Sequence, residues 1–221
     1  MMQEPIIIET SPQITHSIIW LHGLGADGHD FAPIVSELKL PKNLGIRFIF
    51  PHAPIRPVTL NGGIPMPAWF DIHAISERAP VDRAGILQTE TVLHALMAEQ
   101  IAQGIAADHL FLAGFSQGGA MALFTGLRYE KPLAGILGLS TFLPLSDQVL
   151  AHSDLKKKQT PVLLCHGEQD SIVSYALGLK TYQNLLQNEL NVQWLSYAMP
   201  HTVCATEIGD IAKWLVKHCQ T

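Results

Sequence analysis

Apolar positions along this chain fall into two kinds of segment that alternate from one end to the other. Short runs, apolar on both faces, occur at Ile18–His22, Arg47–Phe50, Leu110–Phe115, Ala134–Leu139, Val162–His166 and Val192–Ala198. Runs of that length predict central strands of a parallel sheet covered on both sides. Glu4–Thr10 predicts an additional edge strand. Between the runs the spacing turns helical. Ile86, Leu93, Met97 and Ile101 share one face, with Asp82 placed as an N-cap. Tyr175, Leu179, Tyr182 and Leu186 form a second stripe, and Cys204, Ile208, Ile211 and Leu215 a third. On that third stripe Cys204 reads as a core thiol. No internal repeat, low-complexity tract or Gly/Ser linker interrupts the series. The pattern predicts an α/β fold over residues 1–221, a single domain with a mostly parallel central sheet and helices on both faces.

One segment breaks the rhythm. Residues 51–80 hold six of the fourteen prolines and two adjacent glycines, without a sustained period. Thirty residues lacking regular structure are uncommon inside a domain and are usually functional. Their apolar members, Leu60, Ile64, Met66, Trp69 and Phe70, would be costly to leave in water. A Pro-rich covering loop over an active site is expected.

Composition narrows the classes of function. The chain is 48% hydrophobic and 15% charged, with a net charge of −5, so neither disorder nor a nucleic-acid partner is expected. The first residues lack a basic start, which argues against a secretory signal. Leu110–Leu127 is uncharged, but it contains four glycines, a serine and a glutamine. It reads as a buried strand running into a buried helix, so stable membrane insertion is not expected. Three cysteines without a C-x-x-C pair fit a reducing, cytoplasmic setting. Eleven histidines include no H-E-x-x-H, so no metal site is expected.

The chemistry centres on Gly114-Phe115-Ser116-Gln117-Gly118, a G-x-S-x-G pattern lying between a predicted strand and a predicted helix. That is the setting of a nucleophile elbow, whose sharp turn excludes bulky neighbours. A serine hydroxyl needs a base, and the base needs an orienting acid. Asp170 follows the strand Val162–His166 and is the acid of choice, with Glu168 and Asp147 as rivals. Downstream of it stand only His201 and His218. His218 belongs to the last amphipathic segment, whereas His201 follows a strand and is the expected base. Two N–H donors should face the oxyanion. One is the backbone of Gln117. The other is that of Leu24, in the glycine-rich turn Gly23–Gly28 after the first central strand. A phosphate cradle is a weaker reading of that turn, because the Lys-Ser/Thr of a P-loop and the G-x-G-x-x-G spacing are missing. The acyl part of a substrate is expected against Leu60, Ile64, Met66, Trp69 and Phe70, with Phe142 and Leu143. A non-catalytic scaffold of the same fold would be expected to lack a triad member, and none is missing.

Taken together, Leu21–Gly28, the Gly114–Ala120 elbow, Pro57–Gly63 with Ala68–Asp71, His166–Asp170 and the His201–Cys204 loop resemble the phospholipase/carboxylesterase family of α/β hydrolases over nearly the whole chain. The resemblance implies a cytosolic serine hydrolase without a cofactor. It acts on short- to medium-chain carboxylic esters, with acyl-protein thioesterase or lysophospholipase activity as the alternative. The substrate is then a small acyl ester or a lipid-like molecule, and a homodimer is a common state among members. Two departures stand out: Pro200 precedes the histidine where the family usually has glycine, and Ser171 and Ser174 replace prolines.

Overall fold

A computed structural model of the chain describes residues 3–76, 79–151 and 159–220. Its elements run in the order β1 (Ile6–Glu9), β2 (His16–Leu21), α1 (Gly28–Phe31), α2 (Ile34–Glu37), β3 (Ile46–Phe50), β4 (Ile55–Val58), β5 (Ile64–Pro67), α3 (Arg83–Ala102), β6 (Leu110–Phe115), α4 (Gln117–Arg128), β7 (Gly135–Leu139), α5 (Ser146–Leu150), β8 (Val162–Gly167), α6 (Tyr175–Gln187), β9 (Val192–Tyr197) and α7 (Ala205–His218).

Seven strands form one sheet in the order β1-β3-β2-β6-β7-β8-β9. Only β1 is antiparallel, pairing β3 with Ile6 opposite Phe50. The other neighbours are parallel. The dual-faced apolar runs acquire a physical reason here. Ile19 and Leu21 of β2 and Leu112 of β6 enter a core with α3 and α4, through Ile86, Leu93, Met97, Met121 and Phe124. Ile18 and Trp20, with Phe111 and Ala113, enter a second core under α1, α2 and α7, built on Phe31, Ile34, Ile211, Trp214 and Leu215. Alternate residues therefore serve opposite cores, so both positions of the repeat must be apolar.

Three expectations change. Residues 51–80 contain regular structure: β4 and β5 form an antiparallel hairpin with Val58 opposite Ile64. Prolines at 57, 65 and 67 hide it from sequence reading, and they are tolerated because this ribbon is only two strands wide. The stripe on α6 is also turned from its expected position. Gly178, Thr181 and Leu185 are buried while Leu186 is exposed. The reason is local: a side chain at Gly178 would overlap the His166 ring, so the helix approaches the sheet through glycine. Cys204 lies at the N-cap of α7, half-buried, just ahead of the stripe it was expected to join. No helix among the described residues is long and apolar enough to cross a membrane.

Candidate active site

Parallel strands deliver their following loops to one edge of the sheet, and the loops after β2, β3, β6, β7, β8 and β9 meet there. The loop after β6 is the shortest. Ser116 stands between β6 and α4 with φ 53° and ψ −118°, a conformation side chains rarely adopt. It persists because its surroundings leave no alternative. The Ser116 N–H donates to Leu139 O at 2.8 Å, and its carbonyl accepts from Ala120 N at 3.0 Å and Thr141 Oγ1 at 2.7 Å. A Cβ at Gly114 would overlap the Gly118 backbone, and one at Gly118 would overlap the carbonyls of Leu21 and His22. The elbow glycines are thus dictated by the contact between α4 and the end of β2.

Ser116 Oγ lies 3.0 Å from His201 Nε2, and His201 Nδ1 lies 2.7 Å from Asp170 Oδ2. A carboxylate at neutral pH only accepts, so His201 Nδ1 carries the proton and Nε2 presents its lone pair to the serine hydroxyl. The other oxygen, Oδ1, accepts from the N–H groups of Ile172 and Val173, each at 2.9 Å. The rivals lie elsewhere. Glu168 accepts from Ser196 Oγ at 2.9 Å, Asp147 is exposed on α5, and His218 sits beside Trp214 on α7. Pro200 does not hold His201 away from the serine. Its missing N–H is immaterial there, and its carbonyl accepts from Thr202 N at 2.9 Å. Ser174 caps α6 by accepting from Leu177 N, a task proline cannot perform.

The glycine-rich turn after β2 abuts the elbow: a Cβ at Gly23 would lie 3.6 Å from Ser116 Cβ. Gln117 opens α4, so its N–H has no intrahelical acceptor. No backbone carbonyl among the described residues accepts from the Leu24 N–H. The turn is held by His22, a residue sequence reasoning passed over. Its Nε2 accepts from Ala53 N at 3.1 Å, so Nδ1 bears the proton and donates to Gly23 O at 2.8 Å. Burial keeps the ring below the usual imidazole range, against the opposing pull of its bond to Gly23 O.

The 51–80 segment is fastened to both loops. Gln117 Oε1 accepts from Trp69 N at 2.9 Å, and its Nε2 donates to Phe70 O at 2.7 Å. Trp69 Nε1 donates to His22 O at 2.9 Å, Thr89 Oγ1 donates to Trp69 O, and Gly25 N donates to Pro67 O at 2.9 Å. These bonds bear on two of the residues expected at the substrate. Trp69 and Phe70 are 1% and 3% exposed and belong to the core, where they anchor the segment. Leu60 and Ile64 are exposed at the hairpin tip, and Met66 comes back against Gly25. Phe142 and Leu143 instead line a cleft of about 360 Å³ with Val81, Pro144, Leu145 and Leu177. Thr141 and His166 also escaped sequence reasoning. The available signal was position, since both stand where a buried strand ends and the site begins.

Asp27, His29 and His52 come close enough together to invite a cation. However, His52 Nδ1 accepts from Gly28 N at 3.2 Å, which leaves the ring proton on Nε2 and no lone pair for a metal. Asp27 Oδ1 is already occupied as the N-cap of α1, accepting from His29 N at 2.7 Å.

A doubly covered parallel sheet with an elbow serine, an aspartate and a histidine on the loops after β6, β8 and β9 defines a serine hydrolase of the α/β-hydrolase fold. The chain belongs to the phospholipase/carboxylesterase family, whose model matches residues 2–219. It is 38% identical to acyl-protein thioesterase 1 of Neurospora crassa, over 96% of this chain and 91% of that protein. Among solved structures it is similar to acyl-protein thioesterase 2 of Zea mays, with a TM-score of 0.86, 31% identity and coverage of 98% and 99%. It is also similar to SOBER1 of Arabidopsis thaliana, with a TM-score of 0.87, 30% identity and coverage of 92% and 98%.

Proposed function

We propose that the protein hydrolyses acyl thioesters and related carboxylic esters through a serine-bound acyl intermediate, with acyl-protein thioesters as its preferred class. The observation that carries the chemistry is the continuous chain from Ser116 Oγ through His201 to Asp170. The preference for thioesters over simple short-chain esters rests on the relatives, which are named acyl-protein thioesterase 1 at 37–38% identity.

His201 Nε2 removes the Ser116 proton as Oγ attacks the acyl carbon, and the carbonyl electron pair becomes an oxyanion. The N–H groups of Leu24 and Gln117 donate to that oxyanion, each worth on the order of 10²- to 10³-fold in rate. The start of α4 behind Ser116 adds its positive end. Collapse breaks the bond to the leaving group, which takes the proton from His201 and departs as a thiol or alcohol. Water then attacks the acyl-serine with His201 again as base, releasing the acid. Asp170 holds the imidazole in the tautomer that both steps need. The acyl chain is expected against Met66 and the cleft of Phe142 and Leu143, with Leu60 and Ile64 at the rim. The three thiols carry no disulfide, which fits action in a reducing cytoplasm.

Turnover of a matched set, comprising an acyl-peptide thioester, a lysophospholipid and p-nitrophenyl esters of increasing chain length, tests the assignment. The thioester should give the highest kcat/KM, and Ser116→Ala should abolish turnover of every member. A Ser116→Ala variant with undiminished turnover would sink the mechanism. Preference for short p-nitrophenyl esters would sink the substrate class alone.

A further inference from the structure

His166 is buried at the end of β8, four residues ahead of Asp170, and the mechanism above does not use it. Its Nε2 lies 2.8 Å from Val173 O and 3.5 Å from Asp170 Oδ2. A carbonyl only accepts, so Nε2 carries the proton and Nδ1 is bare. Nδ1 faces Gly178, where even a methyl group would overlap the ring. The ring is stacked on Trp194 at 5.6 Å between centroids and meets the edge of Tyr175 at 6.2 Å. A second proton on Nδ1 would be buried against this apolar wall, and burial accordingly lowers the imidazole's proton affinity. His166 is thus a neutral imidazole of one defined tautomer and one defined orientation.

The backbone of Val173 links this ring to the site. Its carbonyl accepts from His166 while its N–H donates to Asp170 Oδ1 at 2.9 Å. The remaining carboxylate oxygen, Oδ2, is met by His201 Nδ1 at 2.7 Å and faced by the His166 N–H. At 3.5 Å the His166 contact is too long for a hydrogen bond, but it keeps the positive end of an N–H dipole on the carboxylate. Oδ1 is thus tied to the 172–173 turn, the turn is tied to β8 through His166, and Oδ2 is left for His201.

We infer that His166 is a positioning residue, one that fixes the rotation of the Asp170 carboxylate and through it the orientation of His201. The inference rests on the assignment of Ser116, His201 and Asp170 as the catalytic chain. Neither the G-x-S-x-G pattern nor the resemblance of His166–Asp170 to an acid loop requires this role, since what carries it is the Val173 backbone, bonded to His166 at its carbonyl and to Asp170 at its N–H.

The experiment compares kcat and KM of His166→Phe, His166→Gln and His166→Asn, with His166→Phe also made in an Asp170→Asn background. Phenylalanine keeps the stack on Trp194 and removes the N–H. Glutamine carries an N–H about as far along the side chain as Nε2, whereas asparagine stops short of it. His166→Phe should lower kcat about 10- to 100-fold with KM within about twofold, the cost of a misaligned catalytic group. Glutamine should restore most of the loss and asparagine little. In the Asp170→Asn background the same His166→Phe change should cost less than about threefold, because the group it positions is already disabled. Undiminished kcat in His166→Phe, or an equal loss in both backgrounds, would overturn the inference while leaving the triad standing. If Asp170→Asn itself left turnover unchanged, the triad assignment would fail and the inference with it. Should His166→Phe not fold, the Gln and Asn variants decide the matter, and equal activity in those two would overturn the role.

Discussion

Ser116 shows how far a single residue's environment can dictate its chemistry. Its positive φ is held by hydrogen bonds from Thr141 and Ala120 to its carbonyl, and Oγ is thereby presented to His201. At this scale Asp170 is the informative residue to change, because Asn keeps the shape and the acceptor oxygen while losing the charge. Asp170→Asn should fold normally and lose on the order of 10³- to 10⁴-fold in kcat, as expected when the imidazole is held in the wrong tautomer. Steady-state kinetics beside a thermal melt would check both halves of that expectation. Sequence order and strand ends were enough to pick out Ser116, Asp170 and His201 as a set, and the fold brings the three into one hydrogen-bonded chain. His22 and His166 were not legible in the same way, because a histidine inside an apolar run carries no mark of what its nitrogens will meet.

Among the elements, α4 carries more than the serine. Its first residue, Gln117, was expected to contribute a backbone N–H, and it does open the helix. The side chain has a second task, tying the peptides of Trp69 and Phe70 to the elbow. Gln117→Leu would retain the backbone donor and strand two buried backbone groups, each costing about 1–3 kcal/mol. The variant should melt earlier, and amide exchange over residues 66–71 should accelerate. Unchanged exchange there would show that the segment is held by other contacts. Gly118→Ala probes the other side of the same helix. Its new methyl would press on the carbonyls of Leu21 and His22, which are backbone and cannot swing aside. A clear drop in melting temperature and loss of activity together are expected, since the elbow and the glycine-rich turn share that contact. That Trp69 and Phe70 belong to the core was not foreseen, for a reason internal to this element. A large apolar residue in an irregular segment reads the same whether it faces a ligand or the core.

Across the whole molecule, one buried carboxyl couples stability to pH. Glu207 is fully buried in α7, caps the helix by accepting from Cys204 N, and its Oε1 has no hydrogen-bond partner among the described residues. Burial pushes its carboxyl up to about 8, from the usual 4.5. Below pH 4.5 both folded and unfolded chains hold the proton. Between 4.5 and 8 only the folded chain does, so this group's contribution to stability falls as pH rises and levels off above 8. Glu207→Gln keeps a side-chain acceptor for the Cys204 N–H and removes the ionisation. Its melting temperature should exceed that of the parent at pH 8–9, and the difference should vanish or reverse near pH 4. Parallel curves for the two proteins would refute the buried-proton account.

The alternation of strand and helix, the covering of the sheet on both faces and the choice of a serine, an acid and a histidine that meet in space were all legible in the sequence. They depend on local periodicity and on the rule that parallel strands send their loops to one edge. The tertiary structure alone decided what Trp69 and Phe70 touch and that a proline-rich stretch folds into a hairpin. It also decided which face of α6 is buried and where the His166 proton points. The first depends on contacts between segments distant in sequence, Gln117 on Trp69 among them, and the others on shorter-range contacts that periodicity does not mark: Val58 opposite Ile64, Gly178 against His166, and Val173 O on His166. Such contacts are set by packing in three dimensions, and no local pattern along the chain encodes them.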